Sequence, residues 1–551
     1  MINRLKEYIF THKLEVLFLG LVYAFGLYLR LAPRLQIDPH LLTLNADIWE
    51  RISIAQYFKD HGYLPKFCLR YIAYGQVPLW YPPISAFLFA FFSWLFNLDI
   101  ATVSSRIVPF IEALTPLSIF FLGKVLFNKR IGYLATMFLS LTPSFNYWSG
   151  ISDPQSLTLF LLPIYIISLV WRAKIGNDLE DKKRWLWVLC LSFLLAINFL
   201  THLSYFLAVI ILLLVSLALI IEFGLRRDFL VDVLVAIIFS QILTIWWWAP
   251  KNLYWWWVKS LVTSSGLYTT AQHLKEYGLV IGVIELYSAI CLLVFFTFSP
   301  SKIRPFIWLI FLWALIPFLE TQNEAILRLI KRGDLAWSTI FKPLEGFRFY
   351  CFLAQPLAII SAILIDEIFI FFKIWIKRIE YFVVIGLAII LIVDIHKSFG
   401  WYVRIKNPGI TVDEYNAAVW FRNNSNETDR IVADYYRVQM FAGVCGGKSL
   451  LGGLFPLRNV DFPYIKSPGA VVQDDIYNMY KTQSPKEAYN LLKKYKATHI
   501  FFSQNLINYG ALGSQFKDGF GIDIDKEKFK DKRFFEEVYN HNNDYIIVKV
   551  K

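Results

Sequence analysis

Charged residues are scarce in this sequence. Asp, Glu, Lys and Arg make up 18% of its 551 residues, whereas 57% are hydrophobic, and the mean hydropathy is +0.48. This composition excludes a wholly soluble protein and predicts a polytopic membrane protein. The net charge of +13 does not indicate nucleic-acid binding, because the basic residues cluster at the ends of apolar runs, where they set topology.

Cysteine and internal repeats are scarce as well. The five cysteines include no C-x-x-C pair and no Cys/His spacing typical of zinc sites, so neither a disulfide framework nor a zinc centre is expected. The absence of a two-fold repeat counts against a secondary transporter. A transporter also needs ionisable residues within its spans, and the few candidates (Glu112, Asp232 and Glu285) show no paired symmetry.

Long apolar runs are abundant. About eleven runs approach the roughly 20 residues that cross a bilayer, and we interpret the first as an uncleaved span. They fall near 14–32, 105–126, 131–148, 156–172, 185–200, 203–222, 229–249, 277–299, 304–319, 349–372 and 380–398. The run 84–97 is shorter. If it lies in the membrane interface and the N-terminus is cytoplasmic, every inner loop is basic, as the positive-inside rule requires.

This charge pattern predicts a multi-pass protein of the plasma membrane with its polar regions on the outer side. These regions are the loop 33–104, the turn near 150–155, the loops 250–276 and 320–348, and everything after residue 401. We predict a transmembrane domain over 1–400 and an extracytoplasmic α/β domain over 401–551. The periodicity of the latter predicts helices at 412–422 and 486–495, and strands at 430–433, 499–503 and 545–550.

Two acidic residues stand at predicted helix starts on this outer face. Asp47 begins a helix over 47–60, and Asp153 precedes Pro154 at the head of the span 156–172. Helix capping alone explains either residue. A pair of carboxylates from separate loops at one membrane surface also suits a divalent cation or a sugar hydroxyl.

The helix over 47–60 is predicted to be amphipathic. Ile48, Ile52 and Ala55 share one face, while Glu50 and Arg51 lie away from it. This pattern is typical of a helix on a surface, with its apolar face turned toward lipid or the helix bundle.

Here the sequence resembles a known class. The order Asp47, "GYLP" and "YPP" after the first span resembles the polyprenyl-phosphate-dependent glycosyltransferases of the GT-C class. The stretch "PSFNYWSGISDPQSL" is similar to the second acidic motif of the oligosaccharyltransferase catalytic subunit, and the protein O-mannosyltransferases form a related group. The resemblance implies a multispan core with an outer domain. It also implies hexosyl or pentosyl transfer from a polyprenyl-(di)phosphate-linked sugar to a glycan, lipid or protein, with membrane lipid as a further partner.

The resemblance also implies roles for single residues. Asp47 matches the first-loop catalytic acid and Asp153 the second acidic position, and the two would hold Mg²⁺ or Mn²⁺ where a metal is used. Gln155 stands where oligosaccharyltransferases have a metal-binding carboxylate, and an amide is a weaker ligand. Arg348 resembles an arginine that contacts the lipid-linked phosphate, which a guanidinium binds in bidentate fashion. An interfacial anchor is the alternative for Arg348.

Other substrate-binding candidates are Glu50 and Tyr81 in the first loop and His202 in a short outer turn, although a histidine connecting two helices is the more usual explanation of His202. The stretch 431–437 lacks the tryptophan pair and glycine of the Trp-Trp-Asp-Tyr-Gly motif, so an acceptor other than Asn-x-Ser/Thr is expected. Oligosaccharyltransferase-like protein glycosylation and a non-catalytic lipid-binding protein or transporter remain alternatives.

Overall fold

Two compact units make up the chain in the computed structural model. The helical unit comprises Met1–Pro33, Val108–Pro250 and Leu261–Arg404, and the mixed unit comprises Arg34–Ile107, Lys251–Ser260 and Ile405–Lys551. The structure describes residues 13–35, 38, 40, 46–66, 79, 81–150, 154–175, 180–202, 204–225, 227–249, 306–321, 350–373, 410–426, 428–433, 435–446, 449–452, 475, 478–503 and 526–551. The domain boundary at residue 400 stays a prediction; by contacts, the first loop groups with the C-terminal residues.

Helices dominate the described residues. In chain order they are α1 (Lys13–Leu35), α2 (Ala46–His61), α3 (Ile84–Phe96), α4 (Leu117–Leu126), α5 (Lys129–Leu141), α6 (Pro143–Trp148), α7 (Gln155–Ile175), α8 (Asp181–Phe199), α9 (Tyr205–Phe223), α10 (Asp228–Trp248), α11 (Ile307–Thr321), α12 (Tyr350–Lys373), α13 (Val412–Asn424), α14 (Tyr435–Cys445) and α15 (Pro485–Lys494). Short segments precede α4: Ile100–Thr102, a π-helical turn Val103–Ile107, and Val108–Glu112.

Six stretches among the described residues are long and apolar enough to cross a bilayer. They are Glu15–Leu35, Ile100–Leu126, Gln155–Ile175, Tyr205–Phe223, Asp228–Trp248 and Tyr350–Ile370. Each coincides with a predicted span, and two further predictions, 277–299 and 380–398, lie outside the described residues. Helix α3 has 13 residues, which at about 1.5 Å per residue is shorter than the hydrocarbon core of a bilayer.

One predicted span is divided in the structure. The run 131–148 forms α5 and α6, separated at Thr142, whose ψ of 115° is extended. The cause is Pro143, since proline disfavours the helical conformation of the residue before it. Apolar composition alone therefore overstated the length of this helix.

The mixed unit contains a five-stranded sheet of order β2-β1-β3-β5-β4. Its strands are β1 (Arg430–Ala433), β2 (Ser449–Gly452), β3 (His499–Ser503), β4 (Phe535–His541) and β5 (Tyr545–Val550). β1 pairs in parallel with both β2 and β3, and β5 pairs antiparallel with both β3 and β4. The predicted strands correspond to β1, β3 and β5, and the predicted helices to α13 and α15.

The helix α14 and the strands β2 and β4 of this unit were not predicted. In β4 four of the seven residues are exposed, two of them glutamates, so the strand lacks a regular apolar alternation. The sequence feature that could have predicted β4 is the pair Asn542-Asn543, which forms the hairpin turn to β5. These residues have φ values of 57° and 59°, a conformation that asparagine tolerates better than most residues and that hairpin turns use.

Candidate active site

Helix α2 carries the first predicted acid. The helix begins at Ala46, so Asp47 lies within its first turn and not at the N-cap position. The helix dipole still favours a negative charge in the first turn. The side chain of Asp47 lies outside the described part of the structure. The assignment of Asp47 as a catalytic residue and metal ligand therefore remains a prediction.

The predicted polar face of α2 is buried at Glu50 and Arg51, contrary to expectation, whereas Lys59 and Asp60 of the same face are exposed as predicted. Every residue from Ile48 to Gln56 is buried, and Glu50 and Arg51 are only 4% and 2% exposed. The reason is that α3 and α14 pack against this helix. The first part of α2 is thus internal to the mixed unit, and only its end lies at the surface.

Tyr81, a predicted substrate contact, is engaged inside the mixed unit. The Arg51 guanidinium donates a hydrogen bond to the Tyr81 hydroxyl, and its central carbon lies 4.4 Å from the centre of the Tyr81 ring. Both side chains are buried. The contact ties α2 to the residues that lead into α3, which supports a structural role for Tyr81. Glu50, one residue earlier, is buried as well, and its role as a substrate contact stays a prediction.

Close packing fixes α2 against α14. A Cβ added to Gly443 would lie 2.5 Å from a ring carbon of Trp49, and one added to Gly446 would lie 2.6 Å from Cγ of Gln56. At the end of α2, both Asp60 carboxylate oxygens accept hydrogen bonds from Arg422 at 3.1 Å. The helix that carries Asp47 therefore lies directly on the backbone of a C-terminal helix.

A charged cluster within the mixed unit joins residues of the first loop to Tyr415. His40 contacts Asp38 at 2.8 Å and Asp99 at 3.3 Å through its two ring nitrogens, and its ring stacks on Tyr415 at 4.7 Å between centroids. The hydrogen bond with Asp99 raises the pKa of His40. Burial opposes ionisation of Asp99, but hydrogen bonds from His40 and Thr102 outweigh it and lower the pKa of Asp99 to about 2.

In the helical unit, Gln155 does not stand free for a ligand. It is 1% exposed, and its Nε2 donates to Sγ of Cys351 at 2.9 Å. One turn further along both helices, Nε2 of Gln355 donates to the Leu159 carbonyl at 2.6 Å. Helices α7 and α12 therefore start side by side and run in the same direction.

This contact relates two predicted site residues whose own positions lie outside the described residues. Asp153 precedes Gln155 by two residues, and Arg348 precedes Cys351 by three. Helices α7 and α12, which follow these two residues in the sequence, meet at the Gln155–Cys351 contact. The positions of Asp153 and Arg348 themselves stay predictions.

The residues just before this acidic segment are also fixed. The guanidinium of Arg30, in α1, donates to both Oγ and the carbonyl oxygen of Ser149. Gly150 follows, and a Cβ there would lie 3.2 Å from Cγ of Arg30. Sequence reasoning missed Arg30, although a charged residue inside an apolar run is a signal of a functional position.

His202 makes local contacts. Its Nδ1 lies 2.7 Å from Oγ of Ser204 and accepts a hydrogen bond from the Ser204 amide at 3.1 Å. Ser204 directly precedes α9, so the histidine organises the connection between α8 and α9. This geometry favours the alternative of a connecting histidine over the predicted substrate contact.

The expected divalent cation stays a prediction. The described side chains contain no group of three or more His, Cys, Asp or Glu residues that could hold a metal ion. The Gln155 amide, at the position of a metal-binding carboxylate in the motif, is directed at Cys351. The two carboxylates that fit a cation by residue type, Asp47 and Asp153, are the ones whose side chains lie outside the described part.

Comparison with known proteins gives a fold. No protein-family model and no curated protein matches the sequence. Solved structures do match. The oligosaccharyltransferase AglB from Archaeoglobus fulgidus, in complex with an inhibitory peptide and a dolichol-phosphate, superposes with a TM-score of 0.60 at 14% identity, over 90% of this chain and 70% of AglB. The chain has the GT-C fold.

Two further structures share this fold. ArnT from Cupriavidus metallidurans, bound to undecaprenyl phosphate, matches with a TM-score of 0.55 at 12% identity over 97% of this chain and 98% of ArnT. The mycobacterial arabinofuranosyltransferase AftD matches with a TM-score of 0.51 at 12% identity, over 97% of this chain and 40% of AftD. The GT-C arrangement that the first-loop and second acidic motifs implied is therefore confirmed, as a multispan helical core with a C-terminal sheet.

Proposed function

We propose that the protein is a membrane glycosyltransferase that moves one sugar from a polyprenyl-(di)phosphate-linked donor to an acceptor at the outer face of the plasma membrane. The carrying observation is the Gln155–Cys351 contact, because it joins helix α7, which follows the second acidic residue in the sequence, to helix α12, which follows the proposed phosphate-binding arginine. Two structures of the same fold are described with polyprenyl phosphates, dolichol-phosphate in AglB and undecaprenyl phosphate in ArnT.

The proposed reaction is a single displacement. Arg348 binds the phosphate of the donor, and Asp47 accepts the proton of the acceptor hydroxyl as that oxygen attacks the anomeric carbon. The bond between the anomeric carbon and the phosphate oxygen breaks, the lipid phosphate leaves with the bonding electrons, and the anomeric configuration inverts. Asp153 orients the reacting groups. If Mg²⁺ or Mn²⁺ is bound by Asp47 and Asp153, it would neutralise charge on the phosphate.

The acceptor is proposed to be a glycan or lipid. The alignment with ArnT spans almost the whole of both chains, whereas 70% of AglB is covered. The segment after β1 also lacks the Trp-Trp-Asp-Tyr-Gly motif of oligosaccharyltransferases. Protein glycosylation is the second candidate, and the TM-score of 0.60 with AglB is the observation in its favour.

The test uses the full-length protein in lipid nanodiscs with a radiolabelled pool of polyprenyl-phosphate-linked sugars and separate glycan, lipid and peptide acceptors. Asp47→Asn and Asp153→Asn should each lower kcat by about 100- to 10,000-fold, the usual effect of removing a positioned acid or base. The matched control is Asp181→Asn, since Asp181 also lies in the first turn of a helix, α8, and is exposed. It should retain wild-type turnover.

The outcomes separate the alternatives. Turnover that both active-site substitutions leave unchanged would overturn the residue assignment. Binding of polyprenyl phosphate without transfer to any acceptor would favour the non-catalytic lipid-binding alternative. Transfer to the peptide alone would favour protein glycosylation.

A further inference from the structure

Helix α14 contains a buried glutamine that calls for an explanation. Gln439 is 1% exposed, and neither its Nε2 nor its Oε1 has a hydrogen-bond partner in the described part of the structure. A buried polar group without a hydrogen bond destabilises a fold, because it has lost its bonds to water and gained none in return. Such groups are few in native proteins, and they are expected where a ligand or an ordered water completes the bonding.

Gln439 lies on the face of α14 that packs against α2. Gly443 follows it by four residues, a spacing that places both on the same side of a helix. A Cβ added to Gly443 would lie 2.5 Å from a ring carbon of Trp49 and 3.3 Å from Cγ2 of Ile52. Because Gly443 contacts α2, the side chain of Gln439 is directed toward α2 as well.

The two helices run in the same direction, and Gln439 lies toward their starts. Gly443 contacts Trp49, and Gly446, just beyond the end of α14, contacts Gln56. Residue numbers therefore rise together along both helices. Gln439 is the fifth residue of α14, so it lies at the end of the pair where both helices begin. Helix N-termini carry partial positive charge and favour groups that accept hydrogen bonds.

The chemistry of an amide decides which ligand fits Gln439. Its Nε2 donates hydrogen bonds and its Oε1 accepts them, so a ligand must both accept and donate to satisfy the whole group. A carboxylate or a fully ionised phosphate would accept from Nε2 but would leave Oε1 unpaired. Adjacent hydroxyl groups on a sugar ring do both, because one accepts from Nε2 while its neighbour donates to Oε1.

We propose that Gln439 binds a saccharide through two adjacent hydroxyl groups, at the end of the α2–α14 pair where both helices begin. The bonding capacity of the amide defines the kind of ligand, and the contacts of Gly443 define the location. The choice of a sugar among hydroxyl-bearing ligands rests on the proposed function. In that function Gln439 contacts an acceptor glycan and contributes to its affinity.

Stability and binding together test the proposal. Gln439→Met keeps the unbranched shape of the side chain and removes both polar atoms. Because these atoms are buried without partners among the described residues, the thermal midpoint of the mixed unit should rise by about 2–4 °C. The affinity for a saccharide should fall about 10-fold, the loss expected for two hydrogen bonds. Saturation-transfer NMR on the full-length protein in nanodiscs measures binding of the methyl glycosides of glucose, galactose, mannose and arabinose.

Gln56→Met is the matched control at the same helix pair. Gln56 is 7% exposed, but its Nε2 donates to Oδ1 of Asp60 at 2.8 Å. This substitution removes a hydrogen bond that is made, so the thermal midpoint should fall while the affinity for the glycosides stays at the wild-type value. If Gln439→Met fails to fold, Gln439→Leu takes its place in both measurements.

Four results would overturn the proposal. A lower thermal midpoint in Gln439→Met with unchanged affinity would show that the amide is structural, as it is when an ordered water completes its bonds. Equal losses of affinity in Gln439→Met and Gln56→Met would assign binding to the general packing of the helix pair. Binding of inorganic phosphate, lost in Gln439→Met, without binding of any glycoside would assign the site to an anion. Wild-type protein that binds no glycoside would overturn it directly.

These readouts need no turnover, so they separate this inference from the proposed function. In the transfer assay, Gln439→Met should raise KM for a glycan acceptor about 10-fold and change kcat and KM for the donor little. If the protein transfers sugar and KM for every glycan acceptor is unchanged in Gln439→Met, the inference fails and the function stands. If the protein binds a glycoside through Gln439 but transfers no sugar, the binding site stands and the function fails.

Discussion

The helix of Asp47 and the described residues on either side of Asp153 are held in contrasting ways. Helix α2 is fixed by contact of its side chains with a glycine of α14, with Trp49 against Gly443. Ser149 and Gln155, which flank Asp153 in the sequence, are fixed by hydrogen bonds of buried polar side chains, with Arg30 and Cys351 respectively. The first region depends on the shape of a neighbouring helix, and the second depends on donors and acceptors.

The difference matters because the two kinds of support fail in opposite ways. Close packing tolerates the loss of a surface charge but not added volume. A site held by a buried hydrogen bond is little affected by apolar substitutions elsewhere. It is destabilised by the loss of one partner, because the remaining group stays buried and unsatisfied. Substitutions can therefore be chosen that damage one region and spare the other.

The largest effect is expected from added volume at the α2–α14 contact. In Gly443→Ala the new Cβ would lie 2.5 Å from the Trp49 ring, so α2 must move away, and the free energy of unfolding of the mixed unit should fall by about 1–3 kcal/mol. Thermal unfolding followed by tryptophan fluorescence measures the loss. Gly20→Ala is the control, since a Cβ there meets nothing within 4 Å. Equal midpoints in the two variants would contradict the packing account.

A smaller effect is expected from removing the amide that joins α7 to α12. Gln155→Leu removes the hydrogen bond to Cys351 at nearly constant volume, and should raise KM for the polyprenyl-phosphate donor about 5-fold, equivalent to the roughly 1 kcal/mol of a typical hydrogen bond. The control is Gln355→Leu, one turn deeper, which should lower the thermal midpoint and leave KM unchanged. Donor titrations of both variants decide the matter. A rise in KM in both would mean that the link is only structural.

The smallest effect is a pH dependence of the mixed unit. The raised pKa of His40 adds stability that is complete below about pH 6.5, the value of an unfolded histidine, and is lost as the pH rises through the folded value. The lowered pKa of Asp99, about 2, adds stability that is complete above about pH 4 and is lost as the pH falls through about 2.

The stability that the contact between His40 and Asp99 adds to the mixed unit should accordingly be greatest between about pH 4 and 6.5. The His40 side chain is 35% exposed, so solvent keeps the change below about 1 kcal/mol. Thermal midpoints from pH 4 to 9 should decline on the alkaline side in wild type and stay level there in His40→Gln. A wild-type decline that persists in His40→Gln would assign the dependence to another group.

Much of this architecture was predictable from local patterns. Apolar runs of sufficient length identified the spans, and β-branched and aromatic stretches identified β1, β3 and β5. These features are local, so the sequence carries them directly. The boundary within 131–148 was also within reach, because Pro143 acts on the residue next to it.

The environment of α2 was not predictable in the same way. Glu50 and Arg51 occupy the polar face of an amphipathic pattern, and they are buried because other elements pack against α2, among them α14, which comes hundreds of residues later in the chain. Likewise, the sequence near Gln155 does not predict Cys351 as its partner, and the sequence near Arg30 does not predict Ser149. The candidate site is built from contacts distant in sequence, which no periodicity encodes.

The contact between α2 and the C-terminal residues has a consequence for how the protein is made. Asp60 and Arg422 are 362 residues apart in the sequence, and a ribosome adding 5–20 residues per second needs roughly 20 to 70 s to cover that distance. Throughout that time Trp49 and Ile52 have no helix α14 to cover them. The first loop can therefore reach its final position only late in synthesis, and a chain interrupted before residue 435 carries Asp47 on a helix that lacks its contacts with α14.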